Sequence, residues 1–301
     1  MNFPAYLKKG DTIGIICPSG YMPLDKVKTC IDALQSWGYK VIVGKTVGNQ
    51  NSYFSGTDEE RLHDLQSMLD NKDINAILCA RGGYGLSRII DKIDFKYFKK
   101  NPTWIVGYSD VTLLHSHINT NLKIATLHSP MAAAFNDDGY KNEYVTSLQK
   151  ALKGNKAKYS CNPHHLNKPG KVTAELVGGN LCMMAHSIGS TSSYKTKNKI
   201  LFIEDIGEYI YNIDRMLWQL KRAGFFENIL GIVVGGFTDI KDTTIPFGKT
   251  IEEVLAEHFN HLNIPVAYHF PVGHQTKNYA LKIGGTYTLT ITNKQTTLAE
   301  I

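Results

Sequence analysis

Ser109 stands between WIVGY, a run of strand formers, and VTLLHSHI, whose leucines recur at helical spacing. A serine in a tight strand-to-helix turn exposes Oγ and faces the first amides of the helix, as a nucleophile elbow does. Gly107 can take the sharp turn, and the amide of Asp110 can donate to an oxyanion. The same pattern fits a serine that only caps the helix. Arg81-Gly82-Gly83-Tyr84-Gly85 also follows a strand. Its glycines let the backbone approach a ligand, and Arg81 offers a planar fork to a carboxylate. An ordinary glycine turn is the plain alternative, since GGYG has neither GxGxxG spacing nor the GK[ST] ending of a phosphate loop.

Three acidic residues, Glu204, Asp205 and Glu208, follow the strand run KILFI, where a carboxylate can hold an imidazole in one tautomer or simply form a solvated turn. His274, in PVGHQTKN, can be a general base or an exposed loop histidine. His115, His117 and His128 lack an HExxH motif and a carboxylate at ligand spacing, and His164-His165 is expected on the surface, so no metal site is predicted. Asn180 in VGGNL fits a helix cap or a substrate contact.

The elements that must position these residues alternate. Strands are predicted over Thr12–Cys17, KVIVGKTV, INAILCARGG and Thr103–Tyr108, and helices over Leu24–Trp37 and after the Thr57/Glu60 capping box. This is the pattern of a parallel sheet whose ligands bind beyond the carboxyl ends of its strands. From Tyr140 to Lys171 the apolar periodicity weakens, and a domain boundary is expected between 155 and 170. KILFIED, a helix carrying Ile213, Met216, Leu217 and Leu220, ILGIVVGGF, IEEVLAEHF and the alternating ALKIGGTYTLTI follow. The expected units are 1–160, holding Ser109, and 170–301, holding Glu204 and His274.

Composition narrows the function classes. With 43% hydrophobic and 20% charged residues, the 301-residue chain can form globular cores. No run approaches the ~18 apolar residues of a membrane span, and the start has no leader-like pattern, so a cytoplasmic protein is expected. Cys17, Cys30, Cys79, Cys161 and Cys182 are odd in number and form no CxxC, which argues for reduced thiols. The net charge of +6 is scattered, without the basic-aromatic clusters of a nucleic-acid site, and fits an anionic substrate.

Taken together and in order, GDTIGIICPSG, ARGGYG, GYSD, ELVGGNL, FIEDIGE with YNIDRML, and PVGH resemble the LD-carboxypeptidase family of serine peptidases, over roughly residues 8–285. The resemblance implies an α/β fold, with an N-terminal Rossmann-like parallel-sheet domain and a smaller C-terminal α/β domain. It implies Ser109 as nucleophile, Glu204 as carboxylate, His274 as base, and Gly83 and Asp110 as oxyanion donors, with no cofactor and no metal. Arg81 is the candidate substrate reader. The implied substrate is a muropeptide whose terminal L,D amide is cut to release D-alanine in peptidoglycan recycling. The expected assembly is a homodimer without nucleic-acid or membrane partners. The rival readings are a microcin-C-type immunity peptidase acting on a peptidyl-nucleotide and a non-catalytic Rossmann-like module that binds an anion.

Overall fold

Apolar strand runs separated by amphipathic helices build two sheets in the computed structural model, which describes residues 1–137 and 139–301. Strands β1 (Thr12–Ile16), β2 (Lys40–Val43), β3 (Ile74–Cys79), β4 (Trp104–Gly107) and β5 (Thr126–His128) alternate with helices α1 (Leu24–Ser36), α2 (Asp58–Leu69), α3 (Lys96–Lys100) and α4 (Thr112–His117). The strands pair in parallel in the order β5-β4-β3-β1-β2. Successive side chains alternate between the two faces. Ile13, Ile15, Leu78 and Val106 join Val27, Cys30 and Leu34 of α1 on one side, while Ile16, Ile77 and Ile105 join Leu65 and Leu69 of α2 on the other. A strand buried on both faces reads as a continuous apolar run, as IGII and AILC do. The edge strand β2 instead exposes Lys40, Ile42 and Val43. The capping box opening α2 is present: Thr57 accepts from the Glu60 amide and Glu60 from the Thr57 amide.

The weak periodicity expected after Tyr140 conceals a helix, α5 (Glu143–Leu152). Asn142 caps it by accepting from the amides of Tyr144 and Val145, and Val145, Leu148, Ala151 and Leu152 are buried. The second sheet comprises β6 (Lys158–Cys161), β7 (Gly170–Asn180), β8 (Lys199–Ile206), β9 (Gly231–Thr238) and β10 (Val266–Ala267). Helices α6 (Leu181–His186), α7 (Ile210–Arg222) and α8 (Ile251–Phe259) accompany them. After β11 (Leu281–Ile283), the strands β12 (Thr286–Ile291) and β13 (Thr296–Glu300) complete the order β10-β9-β8-β7-β12-β13-β6. β7 to β10 are parallel, whereas β12, β13 and β6 pair antiparallel.

Two strands cross the expected division into 1–160 and 170–301. β6 pairs with β13 in the second sheet, and β11 pairs antiparallel with β5 at the edge of the first. Leu281 and Ile283 of β11 pack in the core of the second unit, so one short strand is shared between the two layers. A boundary read from composition sees where periodicity fades, but strand partnership is decided by contacts far apart in sequence.

Candidate active site

The carboxyl ends of β3, β4, β7 and β8 converge on one cavity of about 560 Å³, lined by residues of both sheets, among them Arg81, Ser109, Asn180, Asp205 and His274. The Asn180 amide donates to Thr112 Oγ1 at 3.1 Å, which fastens the start of α4 to the end of β7.

Ser109 directly follows the extended Tyr108 and has φ +66°. A non-glycine residue in the left-handed region is uncommon and carries strain, which marks this turn as an elbow. The helical turn 109–111 and α4 are capped without a side-chain hydrogen bond, so Ser109 is not the helix cap that the sequence left open. The glycine loop lies directly over it: a Cβ on Gly82 would come within 2.8 Å of Ser109 Cβ and 3.0 Å of its Oγ. On Gly83 a Cβ would instead meet the Tyr53 hydroxyl at 2.8 Å. Arg81 Nη1 donates to the Tyr21 carbonyl at 2.6 Å, which orients the guanidinium on the cavity wall.

On the opposite wall, Glu204 is fully buried at the end of β8. Its Oε2 accepts from the backbone amide of His274 at 3.0 Å and pairs with His274 Nδ1 at 2.6 Å. Gly273 has φ +95°, and a Cβ there would stand 2.6 Å from Glu204 Cβ and Cγ, so only glycine allows the histidine loop to close onto the carboxylate. The loop is also tied from its other side, where the Gly273 amide donates to the buried Asn278 at 2.9 Å. Tyr108 packs against the imidazole with ring centroids 4.7 Å apart. Burial alone would depress the His274 pKa. The Glu204 charge and hydrogen bond, with help from Asp205, override it and hold the imidazole above its ordinary value.

Other polar residues of the cavity are tied to one another and to the backbone. Asp205 also lines the cavity and accepts from Asn180 Nδ2, the Cys182 amide and the Ile206 amide, at 2.9, 2.9 and 2.8 Å. Burial, with the neighbouring Glu204 charge, pushes its pKa up to about 7 against those hydrogen bonds. Asn180 caps α6 through the Met183 amide while holding Asp205, so it is a cap as well as a cavity residue. The carboxylate of Asp110 points inward, accepting from Ser19 Oγ at 2.5 Å and the Leu86 amide at 2.9 Å. It thereby joins three sequence motifs, PSG, GGYGL and GYSD. Glu208 reaches the cavity too, but its carboxylate accepts from Asn212 Nδ2 of α7.

The remaining histidines divide. His115 is fully buried, with Nε2 2.9 Å from the Gly107 carbonyl, and burial lowers its pKa to about 4. It supports the elbow from beneath in its neutral form. His128 is buried edge-on against Phe202 and Tyr108, and His117 pairs with Ser192. His164, expected on the surface, is partly buried, stacks on His269 and lies tilted against His165.

The arrangement is that of a serine hydrolase: an elbow serine, a histidine held by a buried carboxylate, and a glycine loop across a shared cleft. The LD-carboxypeptidase N-terminal domain matches residues 13–129 and the LD-carboxypeptidase C-terminal domain matches residues 173–289. A probable murein peptide carboxypeptidase of Bacillus subtilis is 36% identical over 286 residues, covering 93% of this chain and 89% of its own. The murein tetrapeptide carboxypeptidase of Pseudomonas aeruginosa is 27% identical, covering 92% of each chain. Among solved structures, muramoyltetrapeptide carboxypeptidase from Oxalobacter formigenes superposes with a TM-score of 0.87 at 27% identity, covering 96% of this chain and 98% of its own. The microcin C7 self-immunity protein in complex with aspartyl sulfamoyl adenosine does so at 0.86 and 25% identity, covering 99% and 98%. The chain therefore belongs to the LD-carboxypeptidase family, and it is a serine-type carboxypeptidase.

Proposed function

We propose that the enzyme cuts the terminal L,D amide of a muropeptide tetrapeptide, releasing D-alanine and leaving a tripeptide, with Ser109, His274 and Glu204 as its catalytic residues. The observation that carries this reading is the 2.6 Å contact between Glu204 Oε2 and His274 Nδ1, made in the cleft that also exposes Ser109. With Nδ1 engaged, Nε2 is the nitrogen left to accept the Ser109 proton as Oγ adds to the substrate carbonyl. The tetrahedral oxyanion is received by the amides of Gly83 and Asp110, each donor contributing roughly 3 to 4 kcal/mol. His274 returns the proton to the leaving D-alanine nitrogen, giving a Ser109 ester. Water, deprotonated by the same imidazole, then attacks that ester, and serine is regained as the tripeptide carboxylate leaves. Arg81 reads the terminal carboxylate with the donors not occupied by Tyr21.

The test is mass spectrometry of products from defined peptides. A tetrapeptide ending in D-alanine is cut, while its L-alanine counterpart and its D-terminal amide are not. Arg81→Ala raises KM more than it lowers kcat. Equal cleavage of the amide contradicts carboxylate reading. The likeness to the self-immunity protein supports a second substrate class, and an aminoacyl sulfamoyl adenosine in the same panel decides between them. Recycling of muropeptides in the cytoplasm and a homodimeric state belong to the same proposal; Tyr209, Tyr211 and Trp218, exposed on and beside α7, supply apolar surface for a second copy. No described helix is long and apolar enough to cross a membrane.

A further inference from the structure

His164, Glu252 and His269 come from three separate segments and meet at one point. His164 lies on the link between β6 and β7, Glu252 in the first turn of α8, and His269 just beyond β10. Glu252 Oε1 is 2.8 Å from His269 Nε2 and 3.6 Å from His164 Nε2, and the three atoms lie within 4.8 Å of one another. The two imidazoles are nearly parallel, with centroids 4.5 Å apart and planes 11° from each other, and the Nε2 of each faces Glu252 Oε1.

An ion pair accounts for one histidine facing Glu252, not for two. If both rings were protonated, two like charges would be stacked at van der Waals distance. A neutral imidazole is the form that ligates metal. We propose that these three residues bind one divalent transition-metal ion, zinc by its donor set, at a site apart from the catalytic cleft. Two imidazole nitrogens and a carboxylate oxygen suit zinc. Tetrahedral ligands ~2.0–2.1 Å from zinc stand about 3.3 Å apart, a spacing that the two oxygen–nitrogen distances of 2.8 and 3.6 Å bracket, and the third lies within 4.8 Å. Water completes the fourth position.

The site is partly prepared. The capping box of Thr250 and Glu253 fixes the turn carrying Glu252, and His269 is held at φ +54°, which a non-glycine residue keeps only when its surroundings impose it. Side-chain exposures of 19% for His164, 35% for Glu252 and 62% for His269 leave a path for the ion from solvent. None of the three lines the catalytic cavity. The expectation of no metal site rested on spacing along the chain, which cannot register ligands gathered from the link, the helix and the loop. Bound there, the ion clips these segments together, five positions before His274.

The experiment uses the full chain without a histidine tag, stripped with chelator and titrated with zinc chloride in a calorimeter and by thermal melting. One equivalent binds saturably, and at a hundredfold excess over Kd the Tm rises by at least about 4 °C. His269→Ala and His164→Ala, each checked for a native circular dichroism spectrum, lose the binding and the Tm rise, whereas His261→Ala keeps both. Absence of saturable binding overturns the proposal, as does binding that survives in both variants.

Discussion

A carboxylate that reaches both the backbone amide and the ring of one histidine fixes that residue at two points, and Glu204 does this for His274. Glu208 is the sequence neighbour that competes for the role, but its carboxylate accepts from Asn212. Glu204→Gln is expected to lower kcat by about 10⁴, the size found when a triad aspartate becomes asparagine in chymotrypsin, and Glu208→Gln to cost far less. The pH profile supplies a second reading. The base must be neutral, so kcat/KM falls as pH drops through the His274 pKa, which stands above its ordinary value because of Glu204. Removing that charge leaves burial to dominate, so the acid limb of Glu204→Gln lies at lower pH than that of the wild type. A larger kcat loss for Glu208→Gln, with matched thermal melts, transfers the role to that residue.

At the scale of elements, the histidine loop closes only because Gly273 has no side chain. Gly273→Ala places a methyl group 2.6 Å from the Glu204 side chain at a φ of +95°, where an L-residue costs about 1 to 2 kcal/mol. We expect a Tm several degrees lower and kcat reduced at least about a hundredfold, because displacing a positioned group by an ångström has that effect. Wild-type kcat in Gly273→Ala would show that the loop does not hold the base. The elements themselves were largely legible: β1, β3, β4, β8, β9 and helices α1, α2, α7 and α8 follow their apolar periods and caps. GYSD between strand and helix fits an elbow and a capping serine alike, and the φ of +66° at Ser109 with no side-chain cap distinguishes them. Helix α5 was not legible, because Thr, Gln and Lys interrupt EYVTSLQKAL and its burial depends on the first sheet. Asn278 carries no such signal either, since it matters through the Gly273 amide that folding brings near.

For the molecule as a whole, two sheets meet at their strand ends and share a strand. β11 lies at the edge of the first sheet, yet its Leu281 and Ile283 pack in the second core. No periodicity encodes that shared strand, because its partners lie far apart in sequence. The proposed homodimer predicts a mass in solution twice the 33.6 kDa of the chain by light scattering, and Trp218→Glu on α7 shifts it toward the monomer. A monomeric wild type at working concentration contradicts it.

The role proposed for the cleft, which gathers groups from both layers, is covalent attack by Ser109. The most direct test is Ser109→Ala on a defined tetrapeptide ending in D-alanine, followed by mass spectrometry of released D-alanine and by calorimetric binding of the uncut peptide. The account predicts an unchanged fold, binding within a few fold of the wild type, and turnover reduced by about 10⁶, the scale found when a triad serine is removed. Retention of more than a few per cent of wild-type turnover would contradict it.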